Sequence, residues 1–420
     1  MFRKMRSSAI SIYLILSGMM AFVGALVLTT LAVYFVSAVG MNPFQLVLAG
    51  TLFECAILLC EIPTGVIADT YSRRLSLIIG VLIMGAALLL EGALPLLVVV
   101  LLAEALGGVG ETFLSGATDA WLAGELGEAA LGPVYLRSAQ INRTLGLAGI
   151  AASAGLASVQ LNLPLLLGGA LYMALGLFLA LRMPEHGFQP APQAERASWG
   201  ALFGTFQQGL LAVRASRLLL ALLAVGLFAG AAGEGFDKLW EAHLLLGLVM
   251  PQLGQFSPVI WFGMINGGTA LASLIVAALL RQRMVALSGD VGGVARTLLA
   301  LSALLAVSVI AFALAGSFAM ACAALLLKAV LGSLADPFYR TWLIQQTSPS
   351  TRATVLSIAS QANALGETSG GPVVGLVGTL FSLRAALMLS GVLLMPVVAL
   401  YARTLRQARR SDACTPAREG

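Results

Sequence analysis

Long apolar runs alternate with short polar interruptions along this chain. Runs at 9–37, 44–67, 75–93, 95–123, 137–159, 163–182, 217–246, 256–280, 295–314, 318–345, 353–379 and 383–404 each reach about the 20 residues that a helix needs to cross a bilayer. The pattern predicts twelve membrane-spanning helices. One interruption is long and polar: Pro184-Glu185-His186-Gly187-Phe188-Gln189-Pro190 lies within 183–215. It reads as a linker between two six-helix halves, 1–182 and 216–404, with a polar tail at 405–420. The first run follows Arg3, Lys4 and Arg6 without a small-residue cleavage site, so it reads as an anchor and not as a removed leader.

Composition agrees with the pattern. Of 420 residues, 59% are hydrophobic and 10% charged, against about 25% charged in soluble domains. Too little polar surface exists to cover a water-facing sphere, and a disordered or disulfide-scaffold chain is excluded as well. The expected class is an all-α polytopic membrane protein. Basic residues fix its orientation. With the N-terminus inside, the inner connections and tail hold Arg73, Arg74, Arg137, Arg196, Arg214, Arg281, Arg283, Arg352, Arg403, Arg406, Arg409, Arg410 and Arg418, while the outer ones hold Arg384 alone. That asymmetry puts both termini in the cytoplasm of a plasma membrane, with the bacterial inner membrane as the expected setting. The net charge of +5 then records topology and does not point to nucleic acid. Cys55, Cys60 and Cys322 lie in apolar runs and Cys414 in the tail, without metal-ligand or disulfide spacing. No metal site is expected.

The halves echo each other. Asp119 and Trp121 end span four, followed by Gln140, Asn142 and Gly146; Asp336 and Trp342 end span ten, followed by Gln361, Asn363 and Gly366. The step from Trp to Gln is 19 residues in both halves. The expected architecture is two pseudo-symmetric six-helix bundles.

After span two comes Gly65-Val66-Ile67-Ala68-Asp69-Thr70-Tyr71-Ser72-Arg73-Arg74, a Gly-x-x-x-Asp-x-x-x-Arg-Arg motif. Gly65 lets helices approach closely. Asp69 can pair with Arg73 and Arg74, or face the positive end of another helix. The motif resembles the loop 2–3 signature of the major facilitator superfamily, and the twelve spans, the two-half repeat and the middle linker extend the likeness over the whole chain. The resemblance implies that Gly65, Asp69, Arg73, Arg74 and Asp119 form a conformational latch. The alternative is an interfacial charge cluster that only sets topology. The corresponding part of the second half, with Arg281, Arg283, Gly289, Asp290 and Arg296, has no clean copy.

Several charges fall at membrane depth, where each costs about 2.5–3.5 kcal/mol on insertion scales. Glu54 and Glu61 lie seven apart on span two, Glu104 and Glu111 seven apart on span four, and Arg143 is on span five. Span seven carries Glu234, Asp237, Lys238 and Glu241; span ten carries Lys328, Asp336 and Arg340; span eleven carries Glu367. In one reading a buried acid takes up a proton and couples it to substrate movement, with Glu111 first, then Glu54, Glu234 and Asp237. In the other, the acids are permanently paired with Arg143, Lys238, Lys328 and Arg340. Uncharged polar groups in mid-helix need partners. Gln140, Asn142, Asn266, Gln361 and Asn363 are therefore candidates for a substrate pocket, with Glu111 and Arg143.

The stretch Gly110-Glu111-Thr112-Phe113-Leu114-Ser115-Gly116 through Asp119 and Trp121 resembles the end of span four in bacterial drug-efflux members of the superfamily. Those members often carry an Arg four residues before a Gly in span four, where this chain has Glu104 before Gly108. They often carry Gly-Pro-x-x-Gly in span five; here Gly371-Pro372-Val373-Val374-Gly375 is in span eleven. The resemblance implies a transporter and not an enzyme. It would be a drug:proton antiporter-like protein, working as a monomer without a bound cofactor and exporting lipophilic or cationic small molecules on the proton gradient. Uptake or facilitated diffusion of a small metabolite is the alternative.

Overall fold

The computed structural model describes residues 2–188, 217–252, 259–288, 291–345 and 352–413. The linker beyond Phe188, Gly289 and Asp290, and 414–420 lie outside the described residues. The described residues form helices joined by short turns, with no strand among them. In chain order they are α1 (Phe2–Leu28), α2 (Leu31–Tyr34), α3 (Pro43–Thr70), α4 (Arg73–Ala93), α5 (Leu97–Leu114), α6 (Ala117–Leu126), α7 (Leu131–Val159) and α8 (Leu163–Arg182). Then come α9 (Arg217–Gly247), α10 (Val259–Ser288), α11 (Val291–Leu314), α12 (Phe318–Gln345), α13 (Arg352–Leu380), α14 (Leu383–Leu393) and α15 (Met395–Ala413).

Among the described residues, every predicted run falls on one helix or on a helix broken on the way. Among the described residues, nine helical stretches are long and apolar enough to cross a membrane. The helices α7, α9 and α13 fall outside that set. They carry Arg137, Asn142 and Arg143; Glu234, Asp237, Lys238 and Glu241; and Gln361, Asn363 and Glu367, respectively.

Local chemistry sets the helix ends. Asn42 accepts from the Gln45 backbone at 2.9 Å while the Gln45 side chain accepts from the Asn42 backbone at 2.9 Å. This capping box, with Pro43 in the first helical position, starts α3. Ser72 and Ser382 cap α4 and α14 by accepting from Leu75 and Ala385. A π-helical turn, Phe35–Val39, follows α2 and ends at Gly40, whose φ is +75°. Between α5 and α6 the chain turns at Gly116, with φ +68°, a conformation that side chains with a Cβ seldom adopt. Span four is therefore two helices.

Packing divides the chain into two compact units: Met1–Ala201 with Gln252–Gly267, and Leu202–Pro251 with Gly268–Gly420. In the first, α1 packs on α7, α3 on α5, and α4 lies against both α5 and α8. In the second, α9 packs on α13, and α11 against α12, α14 and α15. Three seams thus recur: α1–α7 as α9–α13, α4–α5 as α11–α12, and α4–α8 as α11 with α14 and α15. The α3–α5 seam has no counterpart of similar extent between α10 and α12 among the described residues.

Small residues make the seams close, since helix association in lipid depends on packing. A Cβ at Gly108 would meet the Phe53 carbonyl across α3–α5, and one at Gly366 would meet the Leu227 carbonyl across α9–α13. Gly65 corrects an expectation: a Cβ there meets nothing within 4 Å. The close approach of α3 rests on Gly108 instead. The second unit's core gathers Val294, Leu298, Phe338, Trp342 and Tyr401, with the Trp342 and Tyr401 rings edge to face at 5.3 Å.

Candidate functional site

The first unit holds a half-open cavity of about 290 Å³ between α1, α2, α3, α4, α5 and α8. Its wall is mostly apolar, with Val23, Val27, Phe53, Met84 and Leu88 among its residues. Three carboxylates line it, Glu91, Glu104 and Glu111, and no Lys, Arg or His does. Their order follows from helix geometry. Glu104 and Glu111 share a face of α5, seven residues or about 10.5 Å apart along the axis. Glu54, half-buried on α3, acts electrostatically on Glu111, and Glu104 acts on Glu91. Like charges in an apolar wall raise each other's cost unless a proton or another cation neutralises them. Sequence reasoning placed Glu111 and Glu54 among the candidates but passed over Glu91. That residue lies two positions before the end of α4 and near Pro95, where it resembles a loop-flanking charge.

The Gly65–Arg74 motif forms the turn from α3 to α4. Arg73 pairs with Asp69 at 3.3 Å, one helical turn away. It also donates to the Ala120 carbonyl at 2.9 Å, tying the turn to α6. Arg74 donates to the Ala180 carbonyl of α8 at 2.6 Å. Asp119, expected to join the Arg73 cluster, instead accepts from the Tyr135 hydroxyl at 3.0 Å. The acid that does reach this turn is Glu185. It accepts from Ser72 Oγ at 2.6 Å and from the Arg74 backbone at 2.9 Å. Around it, Trp121 Nε1 donates to the Pro184 carbonyl, the His186 and Gly187 backbones donate to Glu125, and the Phe188 ring lies 5.9 Å from the Arg73 guanidinium. The first residues of the expected linker are thus a strap bonded across α4 and α6.

The second unit holds a larger cavity, about 580 Å³, between α9, α11, α12, α13 and α15. Lys328, Asp336, Tyr339, Arg340 and Asn363 are among its polar groups. Lys328 donates to Asp237 at 2.7 Å and lies 4.4 Å from the centre of the Phe236 ring. Asn363 donates to Glu367 at 2.7 Å, and the buried Tyr339 hydroxyl has no hydrogen-bond partner.

The remaining candidates scatter. The Asn142 amide lies 2.7 Å from Ser17 Oγ, which lies 2.8 Å from Ser138 Oγ, so it links α7 to α1. Gln140 and Arg143 are exposed on α7, Gln361 is exposed on α13, and Asn266 is half-buried on α10. Glu234 is buried on α9, outside the wall of the second cavity. Of the second half's pocket candidates, Asn363 lines the larger cavity, and Asn266 and Gln361 line neither of the two cavities described above. Among those residues, no group of three His, Cys, Asp or Glu side chains could hold a metal ion.

No protein-family model matches the chain. It is similar to an uncharacterized MFS-type transporter, YxaM, of Bacillus subtilis (strain 168), at 22% identity over 365 residues, covering 85% of this chain and 86% of that protein. Among solved structures it is similar to the nucleoside transporter NupG in a point-mutant form, with a TM-score of 0.78 and 15% identity over 94% of this chain and 99% of that one. It is also similar to a bacterial homolog of the human lysosomal transporter Spinster, with a TM-score of 0.73 and 16% identity over 98% and 99% of the two chains. The fold is that of multi-pass, MFS-type membrane transporters. The proteins it resembles are transporters and not enzymes.

Proposed function

We propose that the chain is a secondary active transporter that exports lipophilic or cationic small molecules in exchange for protons. One observation carries this reading: three carboxylates line a mostly apolar cavity that has no basic residue in its wall. Apolar walls suit a lipophilic body, and carboxylates suit a proton or a cationic head. Glu111 is the coupling residue, with Glu54 acting on it across α3 and α5. In this reading twelve spans with both termini cytoplasmic form a monomer in a bacterial inner membrane. Transport proceeds by alternating access, the proton gradient drives the cycle without a bound cofactor, and the Asp69–Arg73 turn is the latch.

A second reading, uptake of a small metabolite, draws support from the second cavity, where Lys328 and Arg340 stand beside Asp336, Tyr339 and Asn363. The likeness to a nucleoside transporter is in keeping with it.

Growth of a pump-deficient bacterial host on a toxic-compound panel separates the two. Export gives resistance with the wild-type chain and none with Glu111→Gln at matched membrane levels. Hypersensitivity would reverse the direction, and no effect of the wild-type chain on any compound would remove the export reading.

A further inference from the structure

Glu91 is the most deeply buried acid of the first cavity. The residue is 3% exposed, and its Oε1 atom has no hydrogen-bond partner. The backbone around it is pinned. Tyr34 donates its hydroxyl to the Glu91 carbonyl at 2.7 Å, and Asn162 donates to the Gly92 carbonyl at 2.8 Å. The end of α4 is therefore tied to the end of α2 and to the α7–α8 turn, which holds Glu91 in the cavity wall. The charged group that acts on it is Glu104 of α5, in the same wall.

We infer that this cavity is a binding site for a lipophilic monovalent organic cation, whose charged head lies between Glu91 and Glu104. The inference rests on the export reading above and says where such a compound binds. Three features select the class. Two neighbouring carboxylates with an unpartnered oxygen call for positive charge. The absence of a three-ligand cluster among the described residues disfavours a metal ion. The remaining wall, from Val23 and Val27 to Phe53 and Met84, offers apolar and aromatic contact, which suits the body of an organic cation. A cavity of about 290 Å³ has room for a small aryl ammonium. The site lies inside one unit, so binding there requires only that unit's helices.

The test is calorimetric titration of the purified full chain with benzyltrimethylammonium, a fixed cation that cannot shed its charge. Its uncharged carbon isostere, neopentylbenzene, is the control. The wild-type chain binds the cation and not the isostere, and Glu91→Gln and Glu104→Gln each weaken binding at least tenfold while their thermal unfolding stays cooperative. Should Glu91→Gln fail to fold, Glu104→Gln and the cavity-filling Val27→Phe decide the matter, each weakening binding at least tenfold. No binding to the wild-type chain, equal binding of the isostere, or unchanged affinity in the variants overturns the site. The resistance panel stays independent. Wild-type resistance with cation binding indifferent to Glu91 and Glu104 removes the site and keeps export. Carboxylate-dependent binding without resistance to any compound keeps the site and removes export.

Discussion

Glu185 accepts a hydrogen bond from the Arg74 backbone at 2.9 Å, and so the residue that follows α8 by three positions caps α4. The same carboxylate takes the Ser72 hydroxyl at 2.6 Å, while Ser72 Oγ itself accepts from Leu75. The N-terminus of α4 thus has two acceptors, one local and one brought from 111 residues away. An anion at a helix N-terminus is also favoured by the helix dipole.

Glu185→Ala removes both bonds. The loss of a cap and of a charge-assisted bond is worth about 1–2 kcal/mol, and thermal unfolding in detergent should show it as a lower midpoint. Glu185→Gln keeps an acceptor oxygen and should lose about half as much. Equal midpoints for Glu185→Ala and the wild-type chain would mean that the strap contributes nothing to the turn.

Gly65 and Gly108 offer a matched pair. A Cβ at Gly108 runs into the Phe53 carbonyl, whereas one at Gly65 meets nothing within 4 Å. Overpacking of this kind costs about 1–3 kcal/mol, so Gly108→Ala should lower the unfolding midpoint and Gly65→Ala should leave it in place. Transport by Gly65→Ala is then informative in its own right. Impaired turnover with normal stability would assign Gly65 to the cycle, and normal turnover would leave it a spacer.

Much of this was legible in the chain because bilayer thickness dictates run length: each apolar run from 9–37 to 383–404 falls on helix. The breaks were not. The π-helical turn at Phe35–Val39 and the kink at Ser115–Gly116 sit inside continuous apolar sequence, and hydropathy does not register backbone geometry. The turn at Gly65–Arg74 was readable from charge spacing, and its Asp69–Arg73 pair is one helical turn apart. Glu185 was not readable as part of it, because its contact spans 111 residues and it sits between Pro184 and His186 at the start of a polar stretch. Glu91 was hidden for a similar reason. Its polar surroundings come from α2, α5 and α7–α8, none of them adjacent in sequence.

Lys328 and Asp237 supply a test of the second unit. The ammonium lies 2.7 Å from the carboxylate and 4.4 Å from the Phe236 ring centre, so it has two partners. Asp237→Asn should cost less than Lys328→Ala, because the ring contact survives the first change and not the second. Asp237 is more than half exposed, which limits the pair to about 1 kcal/mol in a double-mutant cycle. A coupling energy of zero in that cycle would show that the two charges act independently.

Asp69 and Arg73 separate a latch from a topology charge. Asp69 is 58% exposed and its ion pair with Arg73 is 3.3 Å long, so Asp69→Asn should change stability by less than about 1 kcal/mol. Arg73→Ala is a larger loss, since the guanidinium also donates to the Ala120 carbonyl at 2.9 Å and faces the Phe188 ring. If the turn is a latch, Asp69→Asn should leave substrate affinity near the wild-type value while slowing turnover several-fold. The reason is that a contact made in one conformation alone shifts the balance between states without touching the site. A pair that only fixes topology predicts something else: normal turnover in whatever Asp69→Asn protein reaches the membrane, with any deficit confined to its amount. Counterflow rates in proteoliposomes, normalised to inserted protein, distinguish the two, and normal normalised turnover in Asp69→Asn would remove the latch.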